Sequence, residues 1–292
     1  MMKFFFKNLI PTKLILALII SGGFCSNAQD RLGGLALYTL RDEMQKDVKK
    51  TLQAVADAGY SYVEAAGYNK GKFYNLSPQE FKTTLESFKL RPLSAHQGSV
   101  TLDNADVMMS DVKAAGFEYF VIPVPPMGLF EVDTYSRQMG MNGGVANLAK
   151  ILNKLGQKAK NAGLKLLYHN HDFEFVKDAN GIVPIDYLLE YCDSNLVNFQ
   201  MDLYWVIKAN ADPLAYFEKY PGRFKIWHIK DMDLEGKFTP VGNGTIDFAE
   251  ILNKKDKSGM KYYMVEQDET FSMEPLEAIK VSHEGIKRFG FQ

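Results

Sequence analysis

The sequence predicts a (β/α)8 barrel, and three observations carry that expectation. Strand-type and helix-type segments alternate eight times along the chain. Glycines stand just past the last turn of predicted helices, at Ala58-Gly59, Ala115-Gly116 and Ala162-Gly163, each followed by a strand-type run. Four of the five histidines fall at the C-terminal end of a predicted strand, the face on which barrels of this class build their active sites.

Taken in order, the strands are apolar, β-branched or aromatic runs that end in polar residues. They are expected at Gly34–Leu40, Tyr62–Ala66, Pro92–His96, Tyr119–Val124, Lys165–His171, Val197–Leu203, Lys225–Lys230 and Tyr262–Gln267. Between them helical periodicity marks Gln45–Ala58, Pro78–Phe88, Ala105–Ala115, Val145–Ala162, Pro184–Cys192, Pro213–Tyr220, Ile246–Asn253 and Glu274–Phe289. Ser77-Pro78 and Asp212-Pro213 add a capping residue followed by a first-turn proline. An open doubly wound sheet is the alternative. It is disfavoured because Leu40-Arg41-Asp42-Glu43, not a glycine-rich phosphate turn, follows the first strand.

The N-terminus reads as a secretory signal. Lys3, Lys7 and Lys13 precede an apolar run, Leu14 to Ile20, and Ser26 and Ala28 sit where a cut before Gln29 requires small residues. The run is too short for the ~20 residues of a spanning helix, so no membrane span is expected. Cys25 raises lipidation, but Phe24 before it is bulky where such sites want a small residue. The domain reading is therefore residues 1–28 as signal and 29–292 as barrel, with a periplasmic or secreted product. Removing 28 of 292 residues leaves 264 and takes three lysines, so a net charge of −1 becomes −4. One cysteine, Cys192, then remains, and no intramolecular disulfide can form. With 46% hydrophobic residues the chain can bury a full core, which excludes disorder and a disulfide-rich mini-fold. No basic block marks a nucleic-acid footprint. An oligomer is compatible with the sequence.

The chemistry gathers at one end of the strands. His96, His169, His171 and His228 lie there, with Glu64, Glu174, Asp202, Asp231 and Glu266 alongside; only His283 falls on a helix. Mixed imidazole and carboxylate donors suit a divalent ion such as Mn²⁺, Co²⁺ or Zn²⁺. Any one strand-end histidine is more often a hydrogen-bonded core residue than a ligand; the shared placement favours a site. Lys230 can stabilise an oxyanion or simply pair with a carboxylate. Tyr38, Tyr204 and Trp205 can form sugar-stacking walls or pack in the core. Pro125–Gly144, rich in Pro, Gly and Met, is a candidate lid.

Five segments in order carry a family resemblance: Leu37-Tyr38-Thr39-Leu40-Arg41-Asp42-Glu43, Tyr168-His169-Asn170-His171-Asp172-Phe173-Glu174, Met201-Asp202-Leu203-Tyr204-Trp205, Trp227-His228-Ile229-Lys230-Asp231 and Val265-Glu266-Gln267-Asp268. With Val241–Phe248, they make the chain similar to the sugar phosphate isomerase/epimerase family. That family has a xylose isomerase-like barrel and includes inosose dehydratases and tagatose epimerases. The resemblance implies a divalent ion held at Asp202, His228 and Glu266. The fourth position, usually a glutamate on strand five, falls on His169, and Glu174 can alternatively supply it. It also implies α-proton abstraction with Glu266 as first candidate base. On physical grounds His171, His96 and Glu174 follow as acid/base or hydroxyl contacts and Lys230 as an oxyanion group, with Tyr38, Glu64, His96 and Trp205 as substrate contacts.

The expected reaction is isomerisation or epimerisation of a non-phosphorylated carbonyl sugar. Elimination from a keto-sugar or 3-keto-glycoside is the rival, because an imidazole at position 169 breaks the two-carboxylate symmetry of the epimerases. A non-catalytic sugar-binding barrel would keep the aromatic walls without needing the metal set. An endonuclease of the related abasic-site family would need more metal ligands and a basic face.

Overall fold

The computed structural model describes Met1 and residues 31–126, 129–132, 139–141, 143–271 and 273–292. The expected signal segment lies outside the described residues, Met1 apart, and the candidate lid lies partly outside them. Eight parallel strands form a closed barrel: β1 Gly34–Ala36, β2 Tyr62–Ala65, β3 Arg91–His96, β4 Tyr119–Ile122, β5 Lys165–His169, β6 Val197–Asp202, β7 Phe224–Ile229 and β8 Tyr262–Val265. Each pairs with its sequence neighbours, and β1 closes the ring against β8. The outer layer is α1 Val48–Asp57, α2 Pro78–Ser87, α3 Ala105–Ala114, α4 Gly144–Asn161, α5 Pro184–Tyr191, α6 Pro213–Lys219, α7 Phe248–Leu252 and α8 Pro275–Arg288.

Local chemistry explains the boundaries. Ser77 caps α2 through a capping box with Glu80, and Asp212 accepts from Leu214 N at the start of α6. The expected first helix divides in two, because Asp47 adopts extended dihedrals and caps α1 by accepting from Lys50 N. Arg41–Lys46 forms a separate short helix before it. The expected first strand is also corrected: it ends at Ala36, and Leu37–Leu40 is a 3-10 turn. Leu37 and Leu40, both fully buried, are three residues apart, and a 3-10 turn brings such a pair onto one side. Strands four, five, six and eight likewise stop before the expected Val124, His171, Leu203 and Gln267, and Leu203 opens a helix to Lys208.

Inside the barrel, Tyr62, Leu93, Tyr119, Val121, Leu167, Ile226 and Met264 form an apolar plug, separate from the larger core between barrel and helices. Tyr62 lies over Gly34, whose added Cβ would stand 2.3 Å from the ring, and its hydroxyl donates to Tyr263 O on β8. Glycine is required there for close approach. No helix among the described residues is long and apolar enough to cross a membrane.

Candidate active site

Strand alternation converts the plug into a polar layer. Side chains two residues apart share a face, so Glu64 follows Tyr62, His169 follows Leu167, His228 and Lys230 follow Ile226, and Glu266 follows Met264. Gln200 and Asp202 share the inward face of β6. The plug closes the barrel below, and ionisable groups are stacked above it at the C-terminal ends.

Glu64 is ringed by donors. Its Oε2 accepts from Ser94 Oγ at 2.7 Å and Gln200 Nε2 at 2.7 Å. Its Oε1 meets His96 Nε2 at 2.9 Å and His228 Nε2 at 2.8 Å. Burial works against its charge, but the two imidazoles outweigh burial and hold its carboxyl below the usual range. His228 lies between two carboxylates, with Nδ1 at 2.8 Å from Glu266 Oε2. Burial disfavours its charge, yet Glu266 and Glu64 push it up to about 10. The His96 and His228 rings stack at 5.5 Å. His96 is also raised, Glu64 overcoming burial.

Lys230 is the central cation. Only 1% exposed, its Nζ stands 2.9 Å from Asp202 Oδ2, 2.8 Å from Glu266 Oε2, and 2.9 and 3.0 Å from the two oxygens of Asp268. Of the two sequence readings, the structure shows the ion pair. Against burial, Lys230 and His228 hold Glu266 well below the ordinary carboxylate range. Burial raises Asp202, whose Oδ1 caps the Leu203–Lys208 helix through Trp205 N. Burial likewise lifts Asp268 to about 6.

The remaining expected residues divide between site and scaffold. His169 is buried, with Nδ1 at 3.0 Å from Gln200 Oε1 and Nε2 at 3.9 Å from Asp202 Oδ2. His171 packs 5.0 Å from the His169 ring and 5.7 Å from Trp205, and its Nδ1 has no hydrogen-bond partner among the described residues. Burial and then Lys230 push it down to about 3, so it is a neutral acceptor near neutral pH. Trp205 lies under the Lys230 ammonium at 5.6 Å. Tyr38, 43% exposed, stands at the mouth with Arg41 4.8 Å from its ring centroid. Tyr204 packs on Phe238 and donates to Gly236 O, which makes it scaffold. Asp231 accepts from the backbone N–H groups of Met232, Gly242, Gly244 and Ile246. It therefore fixes the Val241–Phe248 loop, and Gly244 leaves room where a Cβ would lie 2.2 Å from its Oδ1.

Glu174 departs from expectation. Both its oxygens are occupied away from the cluster: Oε1 accepts from Tyr168 Oη at 2.7 Å and Oε2 from His171 N at 2.8 Å. Between the two candidates for the fourth donor, His169 faces the cluster. Burial pushes Glu174 up to about 8 from an ordinary 4.5. The folded chain then binds this proton more tightly than the unfolded chain, so stability should fall as pH rises between about pH 5 and 8, by at most ~1.4 kcal/mol per unit. Glu174→Gln should flatten that slope in metal-free urea unfolding; an unchanged slope would refute the assignment.

Gln200 and Asp268 were missed as site residues. Asp268 sits in a segment already singled out, two residues after Glu266, whereas a lone strand glutamine gives no signal by residue type.

The donors fit a divalent ion. One ligand atom each from Asp202, His228 and Glu266 lies within 4.8 Å of the others, and His96, His169 and His228 form a second such group. His228 has Nε2 2.8 Å from Glu64 Oε1, while its Nδ1 faces Glu266 and Asp202. Lys230 shares both carboxylates.

The family described as xylose isomerase-like TIM barrel matches residues 52–289. An inosose dehydratase of Clostridium perfringens is 35% identical over 155 residues, covering 46% of this chain and 51% of the relative. The match thus spans about half the length of that curated relative. A sugar phosphate isomerase/epimerase structure from Parabacteroides distasonis is 25% identical, with a TM-score of 0.75 over 91% of this chain and 96% of the other. A Mycobacterium smegmatis barrel described as in complex with magnesium shares the fold at 14% identity, with a TM-score of 0.61 over 89% of this chain and 96% of that one.

Proposed function

The chain belongs to the xylose isomerase-like TIM barrel family, and on that premise we propose that it is a divalent-metal-dependent enzyme removing the α-proton of a non-phosphorylated carbonyl sugar. The observation that carries the reading is the buried convergence of Asp202, His228 and Glu266 at the barrel mouth. Asp202, His169, His228 and Glu266 would hold the ion. When bound, it would supply Lewis-acid polarisation of the substrate carbonyl. Glu266, kept ionised, takes the proton next to that carbonyl. Lys230 supplies fixed positive charge beside the developing oxyanion. His171, neutral and with no partner at Nδ1 among the described residues, accepts from a substrate hydroxyl, and His96, Trp205 and Tyr38 line the approach. Glu64 and Glu174 are held by scaffold partners, Glu64 by Ser94 and Gln200 and Glu174 by Tyr168 and His171, whereas the contacts of Glu266 with Lys230 and His228 are both made by Oε2.

Within that chemistry, elimination is favoured over two-base epimerisation. His169 stands where a second carboxylate base would serve, and Glu174 faces away. One carboxylate can take the α-proton and return it to a departing β-hydroxyl, so that a C=C bond forms and water leaves. The similarity to inosose dehydratases supports the same direction. We also propose that the chain is exported with cleavage before Gln29, which disfavours phosphorylated substrates.

The test is turnover of keto-sugars and keto-glycosides in deuterated water with added Mn²⁺, Co²⁺ or Zn²⁺. Solvent exchange at the α-carbon and an unsaturated product are expected. A product that retains its α-hydrogen without exchange would indicate a hydride shift and overturn the role of Glu266.

A further inference from the structure

We propose that Gln200 is a positioning residue that fixes the tautomer of His169 and turns its Nε2 lone pair toward Asp202. This assignment of a role to Gln200 rests on the reading of the cluster as a divalent-ion site. Gln200 is fully buried on β6, two residues before Asp202. Its carboxamide meets three site side chains: Oε1 lies 2.8 Å from His96 Nε2 and 3.0 Å from His169 Nδ1, while Nε2 lies 2.7 Å from Glu64 Oε2.

The orientation of an amide is decided by its partners. A carboxylate only accepts; Glu64 Oε2 also receives Ser94 Oγ, and its Oε1 stands in ion-pair contact with the His96 and His228 rings, so it remains charged. The amide nitrogen must therefore face Glu64. A reversed amide would set oxygen against carboxylate oxygen and NH₂ against two imidazoles. Gln200 Oε1 then faces the two rings, and its two lone pairs take one N–H from each. His169 consequently carries its hydrogen on Nδ1 and its lone pair on Nε2, the atom 3.9 Å from Asp202 Oδ2. A neutral imidazole binds a metal through the nitrogen that lacks hydrogen, and the bond made by the other nitrogen sets which one that is. The Gln200–Glu64 bond in turn holds the amide that orients His169, with the Glu64 carboxylate beside His96 and His228.

The experiment uses nitrogen-labelled full-length protein without metal. Long-range proton–nitrogen correlation should show His169 protonated at Nδ1 and bare at Nε2; hydrogen on Nε2 would overturn the proposal. Gln200→Met keeps the side-chain length and removes the amide. It should abolish the single-tautomer signature and weaken Mn²⁺ binding in equilibrium dialysis by about 10–100-fold. Ser94→Ala, which removes one donor to Glu64 and leaves the amide in place, should keep the His169 tautomer. Wild-type Mn²⁺ affinity in a folded Gln200→Met protein would overturn the proposal. If the wild type binds no Mn²⁺, the metal reading fails by itself, and the His169 tautomer in the wild type still decides the role of Gln200.

Discussion

Glu266→Gln is expected to lower turnover by about 10²–10⁴-fold, the range for losing a positioned acid–base group, while the protein remains folded. The substitution preserves shape. It replaces a carboxylate that pairs with Lys230 at 2.8 Å and with His228 Nδ1 at 2.8 Å by an amide that can take no proton. The informative comparison is Glu174→Gln, which should leave turnover near wild type, since both oxygens of Glu174 are bonded to Tyr168 and His171. Solvent deuterium exchange measured on both variants distinguishes base from scaffold. Exchange lost in Glu174→Gln and kept in Glu266→Gln would reverse the assignment.

The fold was legible because eight strands had to alternate with eight amphipathic helices, and glycine stops, caps and first-turn prolines marked most boundaries. Strand ends were harder to place. Apolar residues continue past the barrel at Leu37, Leu40 and Leu203, where they pack turns and short helices onto the rim. Burial there is satisfied by i, i+3 spacing as readily as by alternation. In the site, the convergence of His96, His169 and His228 with Asp202 and Glu266 followed from their strand-end positions alone.

Two features were not legible in the sequence. Whether Glu174 faces the cluster depends on the turn at Asp172–Phe175, which brings its carboxylate back onto the His171 amide. Gln200 carries no charge, and its importance arises only when β6 stands beside His169 and across from Glu64. The ion pair of Lys230 could be named as an alternative, but its three-carboxylate geometry depends on how strands six, seven and eight stagger.

Lys230→Met should destabilise the metal-free protein by about 3–5 kcal/mol, the usual cost of removing one partner from a buried ion pair. Its ammonium touches Asp202, Glu266 and Asp268 in a site almost closed to solvent. Methionine fills a similar volume but leaves Asp202 and Glu266 with His228 as a cationic partner and takes from Asp268 the ammonium it pairs with. A divalent ion should then compensate. Without a competing ammonium, Asp202 and Glu266 present their full charge, so added Mn²⁺ should bind the variant more tightly than the wild type. A ligand that binds only the folded state stabilises it by about 2.7 kcal/mol at a hundred times its Kd. Saturating Mn²⁺ should therefore recover much of the loss. Urea unfolding of both proteins with and without Mn²⁺ measures each quantity. A small loss that Mn²⁺ does not reduce would mean that Lys230 does not neutralise the carboxylates assigned to the ion.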